Sequence, residues 1–405
     1  MSRLHDPDAR IRAFLDEGGT ELPDRAYDAV RAGIGGTRQR VVIGSLAAPR
    51  IPRIATFAIG AAAVLIVGAI GLAIIAEPSP GGAGSDLTGS LVSSVWLTDD
   101  SIAFTVQREP GDDGAYYWRA VTYDRLDLRG ASVAGATSHI DRPAGAPILA
   151  GKADDPPQTG TRRITFTVTP GGFTQSTIVS PATPIAVDEA THLTTVGEGG
   201  YFVTLDRAGG SGAYTVTAIV PVSGNGSGQL NRAGLAAAGT DYPTEVRAMY
   251  TTLPAGMWGP NLELLKQTVL GAAKTGAPID IAQALVAELR SPAYTYTTDM
   301  RDVACGSMST AECFATVKRG FCQWYAMTMA VVLRDVGIPA RIVEGFLPGE
   351  RSGTDEVIRN KNAHAWVEVY FPGYGWVTFD PTGGNQPGQL PAALPSAPPS
   401  GSAAP

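Results

Sequence analysis

Residues 54–76, "IATFAIGAAAVLIVGAIGLAIIA", carry no charged side chain. As a helix, the stretch is long enough to cross a hydrocarbon core of roughly 30 Å. A cleaved signal peptide would lie nearer the N-terminus and have a shorter apolar run. Arg31, Arg38, Arg40, Arg50 and Arg53 precede the stretch with no acid among them, and Glu77 follows it. Lysine and arginine collect on the cytoplasmic side of a span, so the N-terminal arm is expected in the cytoplasm and the larger part outside. The expectation is a single-pass protein of the cell membrane with extracytoplasmic C-terminal domains.

A chain of 405 residues can build two globular domains with real cores. Only 17% of residues are charged, and 49 glycines and 30 prolines argue for turns and short strands over a helical bundle. The net charge is −7, and the arm is slightly basic, which leaves −9 for the rest. Nucleic acid is therefore not an expected partner, since it would require a basic face.

Residues 1–50 read as an arm with two short helices, suggested by Asp6-Pro7 and by Thr20 with Pro23. Residues 77–90 read as a linker, and 385–405, rich in Pro, Ala and Ser, as a disordered tail. Four runs alternate at period two: 101–107, 116–123, 164–169 and 213–220. They predict a β-sandwich-like module over 90–225. His139 and His192 fall within it, read here as members of unrelated loops with no metal-ligand spacing. From about 240 the pattern becomes helical, over 261–274 and 280–291, before an extended piece at 291–300.

All three cysteines lie within 305–322. Cys305 and Cys313 could close a short loop as a disulfide; a zinc site is the rival, but the spacings match no paired-ligand motif. Cys322, in "KRGFCQWYAMTMAVVLRDVGIPAR", falls in the first turn of a helix that Gly320 opens and Gly337 with Pro339 closes. Tyr325, Met329, Val332 and Val336 make its apolar stripe. Backbone N–H groups at a helix start stabilise a thiolate, and Lys318 and Arg319 upstream would act in the same direction. A small buried hydrophobe is the other reading of a free cysteine.

In "KNAHAWVEVYFPGYGWVTFDPTGG", residues 361–384, a strand over 363–371 puts His364, Trp366, Glu368 and Tyr370 on one face. A turn at 372–375 folds a second strand back, bringing Asp380 towards His364. A histidine oriented by a carboxylate, together with a helix-start cysteine, is a nucleophile–base–orienter set. The polar segment 347–362 reads as a loop at the rim of the cleft. Arg341 and Glu344 read as a fold-supporting ion pair, with substrate contact as the other role.

The segments "GFCQWYA", "GIPARIVEGF" and "AHAWVEVYFPGYGWVTFDPT" resemble the core motifs of the transglutaminase-like superfamily, in that family's order. The resemblance is specific over about 280–384. The β-rich stretch before it is similar to the external region of bacterial membrane-anchored relatives. The resemblance implies an α+β, papain-like transglutaminase core, with helices packed on an antiparallel sheet, over 240–384. It also implies Cys322 as nucleophile, His364 as general base and acid, and Asp380 as orienter. Trp258, Trp324 and Tyr296 are the candidates for a second oxyanion donor. The expected activity is thiol acyl transfer or peptide hydrolysis on a protein or peptide substrate, the cell envelope among its sources. No cofactor or metal is expected. A catalytically silent binding module, and a membrane sensor signalling through the arm, are the alternative readings.

Overall fold

A computed structural model describes residues 98–384 apart from 134–137, 153, 155–159, 174–175, 198–199, 211 and 225–227. The expected arm, membrane span, linker and tail lie outside the described residues. Among those described, no helix is long and apolar enough to cross a membrane.

The chain first forms β1 (Ile102–Arg108), β2 (Trp118–Tyr123), β3 (Arg125–Asp127), β4 (Gly130–Ser132), β5 (Ser138–Arg142), β6 (Thr161–Pro170), β7 (Ser180–Pro181), β8 (Thr183–Val187), β9 (Thr191–Val196), β10 (Tyr201–Arg207) and β11 (Tyr214–Pro221). Helices α1 (Arg232–Ala237), α2 (Thr244–Tyr250), α3 (Pro260–Ala272) and α4 (Pro278–Leu289) follow. Then come β12 (Thr295–Tyr296), α5 (Thr310–Val317), β13 (Arg319–Gly320) and α6 (Cys322–Asp335). The last strands are β14 (Ala340–Phe346), β15 (Glu350–Ser352), β16 (Asp355–Arg359), β17 (Ala363–Phe371) and β18 (Gly375–Phe379).

Two antiparallel sheets dominate. One has the order β15-β16-β1-β6-β11-β8, the other β18-β17-β14-β2-β7, and a third, smaller sheet is β10-β9-β5. The four period-two runs are strands, as their alternation predicts. The stretch 90–225 is nevertheless not a sandwich closed on itself. Its β2 pairs with β14, Val343 opposite Thr122, and its β1 pairs with β16, Thr105 opposite Val357. Period-two alternation reports that a strand has a buried face; it does not report which strand covers its edge.

The polar segment 347–362 is likewise not a loop. Most of it is the β15–β16 hairpin, with Ser352 opposite Asp355. Its buried charge, Glu356, bonds the Arg108 guanidinium and the Trp118 indole N–H. These are partners from the far end of the chain, so the local sequence reads as polar throughout.

Helix α6 packs between the second sheet and α5. Twelve of its fourteen residues are buried, so it has no solvent face and the expected single stripe is replaced by burial all round. Val367, Val369 and Phe371 on the sheet face beneath it are fully buried. Each contributes about 1.5–3 kcal/mol over leaving it in water. The Arg334 fork bonds three carbonyls, those of Ala340, Thr252 and Asp124, and so fastens the C-terminal end of α6 to its surroundings. α3 begins at Pro260 with no cap of its own, and Glu312 of α5 accepts from the N–H groups of Asn261 and Leu262.

Candidate active site

Cys322 is the first residue of α6, fully buried, and the one free thiol of the chain, because Cys305 and Cys313 are joined in a disulfide. Phe321, the residue before the helix, makes no side-chain cap, so the helix presents its positive end towards the sulfur. The approach to the helix is fixed by β13, where Gly320 lies opposite Tyr296. A Cβ on Gly320 would fall 2.8 Å from the Trp324 Cβ, so this start of the helix requires glycine.

His364 lies on β17 opposite Gly345 of β14. Next to Gly345 the pairing with β2 shifts by a bulge, and a Cβ there would sit 2.0 Å from the Trp118 carbonyl oxygen. Glycine at this position therefore lets β2 close on β14 beside the histidine. The His364 Nε2 is 2.9 Å from Asp380 Oδ2. A carboxylate only accepts, so the proton resides on Nε2 and Nδ1 is left for other work. Cys322 is near enough to His364 to act on its protonation. Asp380 Oδ1 accepts from the Thr382 N–H at 2.9 Å.

The electrostatics favour a charged histidine. Burial pulls the imidazole down, but the charge and hydrogen bond of Asp380, then those of Cys322, raise it to about 10. Burial works against the Asp380 carboxylate too. The His364 charge and hydrogen bond, with the bonds from Tyr117 and Thr382, still hold it at about 2.

The expected trio therefore comes together, and the structure adds a fourth group. The Tyr117 hydroxyl donates to the same Asp380 oxygen at 2.7 Å. Its ring stands edge-on to Trp366 at 5.1 Å and to His364 at 6.2 Å. Tyr117 immediately precedes β2, 263 residues before its partner, and no local pattern around "YYW" marks it for this contact.

Other expectations change. Arg341 and Glu344 do not pair with each other. Three residues apart on β14, they point to opposite faces: Arg341 bonds Glu368 at 2.8 Å, and Glu344 accepts from Gln323 at 2.7 Å and Tyr123 at 2.9 Å. Arg319 pairs with Asp302 and Lys318 lies over the Tyr294 ring, so both upstream cations are engaged away from the thiol. Of the oxyanion candidates, Trp258 donates its N–H to Glu263 at 3.1 Å. Trp324 is buried within α6. Tyr296 is half-buried beside Gly320, and burial first, then the charge of Cys322, push its hydroxyl up, so it keeps its proton as a donor. His139 and His192 lie in strands β5 and β9, not loops, on one face of the small sheet.

Residues 265–381 match the family model of the transglutaminase-like superfamily. A protein of Bacillus subtilis (strain 168) named Uncharacterized protein YebA is 40% identical over 112 residues, 26% of this chain and 15% of that protein. A protein-glutamine gamma-glutamyltransferase of Pseudomonas aeruginosa is 36% identical over 107 residues, 26% of this chain and 16% of that protein. The chain thus spans about 15% of the length of these two relatives. The solved periplasmic domain of TgpA from Pseudomonas aeruginosa aligns over 75% of this chain and 93% of its own, with a TM-score of 0.51 and 22% identity. It is similar in fold. Residues 265–381 are a transglutaminase-like domain.

Proposed function

We propose that the chain is a membrane-anchored, extracytoplasmic cysteine acyltransferase or peptidase acting on protein or peptide amides. The observation that carries the reading is the buried His364–Asp380 pair beside a thiol at a helix N-terminus. The glutaminyl side chain is the first amide to test, because one relative is named a protein-glutamine gamma-glutamyltransferase. An extracytoplasmic setting is supported by the disulfide, which persists in oxidising compartments. The apolar stretch 54–76 supplies the anchor.

The Cys322 thiolate attacks the amide carbonyl carbon, forming the C–S bond while the C=O electron pair moves to oxygen. The Cys322 backbone N–H and the Tyr296 hydroxyl hold that oxyanion. As the oxyanion collapses, the C–N bond breaks and His364 gives its proton to the leaving amine, which leaves a thioester. An incoming amine or water attacks the thioester carbonyl, loses its proton to His364, and releases the sulfur as thiolate.

The test is alkylation of the full-length chain by iodoacetamide across acid to neutral pH, a clean readout because Cys322 is the one free thiol. Alkylation should be fast at acid to neutral pH, vanish in Cys322→Ala and slow in His364→Ala. A rate no faster than that of a free thiol at every pH would sink the reading. Ammonia release from a glutaminyl peptide, with and without an added primary amine, separates hydrolysis from transfer. Tyr296→Phe should lower that turnover roughly 100-fold while leaving the alkylation rate nearly unchanged.

A further inference from the structure

A cavity of about 300 Å³ lies between the two large sheets and contains neither Cys322 nor His364. Arg119, Arg341 and Glu368 of the second sheet line it, together with Asp154. Ile219 and Pro221 of β11 form part of an opposite, apolar wall, and Trp376 and Tyr370 add aromatic surface.

The four charges are unequally satisfied. Arg341 is well held: its Nε and Nη2 both bond Glu368 Oε2 at 2.8 Å, it lies 3.7 Å from Asp154, and Trp376 stacks on it at 4.1 Å. Arg119 is not. It is only 5% exposed, its ion contact to Glu368 is stretched to 3.5 Å, and its Nε has no hydrogen-bond partner among the described residues. It also stacks on Phe202 at 4.5 Å, and Asp154 acts on it at longer range. A guanidinium has five N–H donors, and a buried one with a single long contact is costly unless something completes it.

The surrounding carboxylates do not fill that role. Glu368 gives its closer contacts to Arg341, and Asp154 lies 3.7 Å from Arg341 and accepts from the Phe202 N–H, so neither carboxylate completes the Arg119 fork. A ligand with a carboxylate would supply two acceptors in the geometry a guanidinium fork matches. The volume stands at the lower end of small-ligand sites, which limits the body of the ligand to about one or two amino-acid residues.

We propose that this cavity binds a carboxylate-bearing ligand, with Arg119 receiving the carboxylate and the wall of Ile219, Pro221, Tyr370 and Trp376 holding a short apolar body. The C-terminal residue of a peptide and a free organic acid share that chemistry.

The test uses the full-length chain carrying Cys322→Ala, so that binding is read without any thiol chemistry and independently of the proposed reaction. The probes are N-acetyl-alanyl-alanine, its C-terminal amide and 3-methylbutanoate, titrated by calorimetry at millimolar concentration. The peptide acid should bind at least about tenfold more tightly than the amide. Arg119→Met should remove that preference. Ile219→Trp, which fills the cavity from the wall away from the charges, should abolish binding of the acid. If Arg119→Met does not fold, Arg119→Lys keeps the charge, loses the planar fork and should weaken the acid selectively. Binding of the peptide acid but not 3-methylbutanoate assigns a peptide terminus; binding of both assigns a free acid. Equal binding of acid and amide, binding of none of the probes, or acid binding that survives Ile219→Trp overturns the proposal.

Discussion

His364 with Asp380 and His192 with Asp141 are the same two side-chain types at similar separations, 2.9 and 2.6 Å, each on an antiparallel sheet. Their surroundings differ. The side chains of the first pair are 2% and 0% exposed, those of the second 50% and 88%. Around His192 water competes for every polar atom, and such a pair is worth at most a fraction of a kcal/mol in general. Around His364 there is little water, so the charge and hydrogen bond of Asp380, then the nearby Cys322, decide the proton's position. A histidine–aspartate contact becomes a chemical device only when its surroundings prevent water from doing the same job. Burial is what the second sheet and α6 supply.

The largest effect that would break this contrast is loss of the buried pair. His364→Ala, or Asp380→Asn, which keeps the shape but removes the charge, should lower turnover of a glutaminyl peptide by roughly 10³–10⁴-fold. A fall of less than tenfold would mean that the pair is structural.

Next comes stability against pH. His364 is raised from 6.5 to about 10, so its contribution is complete below about pH 6.5 and lost as pH climbs through 10. Asp380 is lowered from 3.8 to about 2, so its contribution is present above about pH 4 and lost as pH falls through 2. Unfolding free energies of the wild-type chain and His364→Ala should therefore differ most between these limits and converge outside them, with a gap of about 1–3 kcal/mol in between. A pH-independent gap would contradict the assignment of charge.

Tyr117→Phe removes one donor from Asp380 and leaves the ring stacking in place, so turnover should drop about tenfold. Its acid limb should move to higher pH as the carboxylate becomes easier to protonate. A uniform drop with an unmoved profile would make Tyr117 a packing residue only. His192→Ala sharpens the comparison from the other side: it should change stability by less than about 0.5 kcal/mol and leave turnover unchanged.

The parts of this site that are legible in the sequence are those whose information is local. A glycine before an apolar run sets Cys322 at a helix start, and strand alternation around the turn at 372–375 puts His364 and Asp380 on one face. Contacts made across the chain leave no such trace. Glu356 reads as one more acid of a polar segment until Arg108 and Trp118 meet it. Tyr117 reads as a strand residue until the sheet closes on Asp380. His139 and His192 are far apart in sequence, and only the pairing of β5 with β9 brings them to one face, with His192 opposite Asp141. The expected membrane span, read from composition, lies outside the described residues.

The insertion of β2 between β14 and β7 has a kinetic side. The strand is made early, and its partner β14, with β17 and β18 beyond it in the sheet, emerges about two hundred residues later. Closing so long a loop costs entropy before any contact repays it, and folds dominated by such pairings form slowly. A chain still emerging therefore carries a cysteine but no finished site around it. The surroundings that bury Cys322 are therefore a property of the completed molecule, absent from nascent or truncated forms.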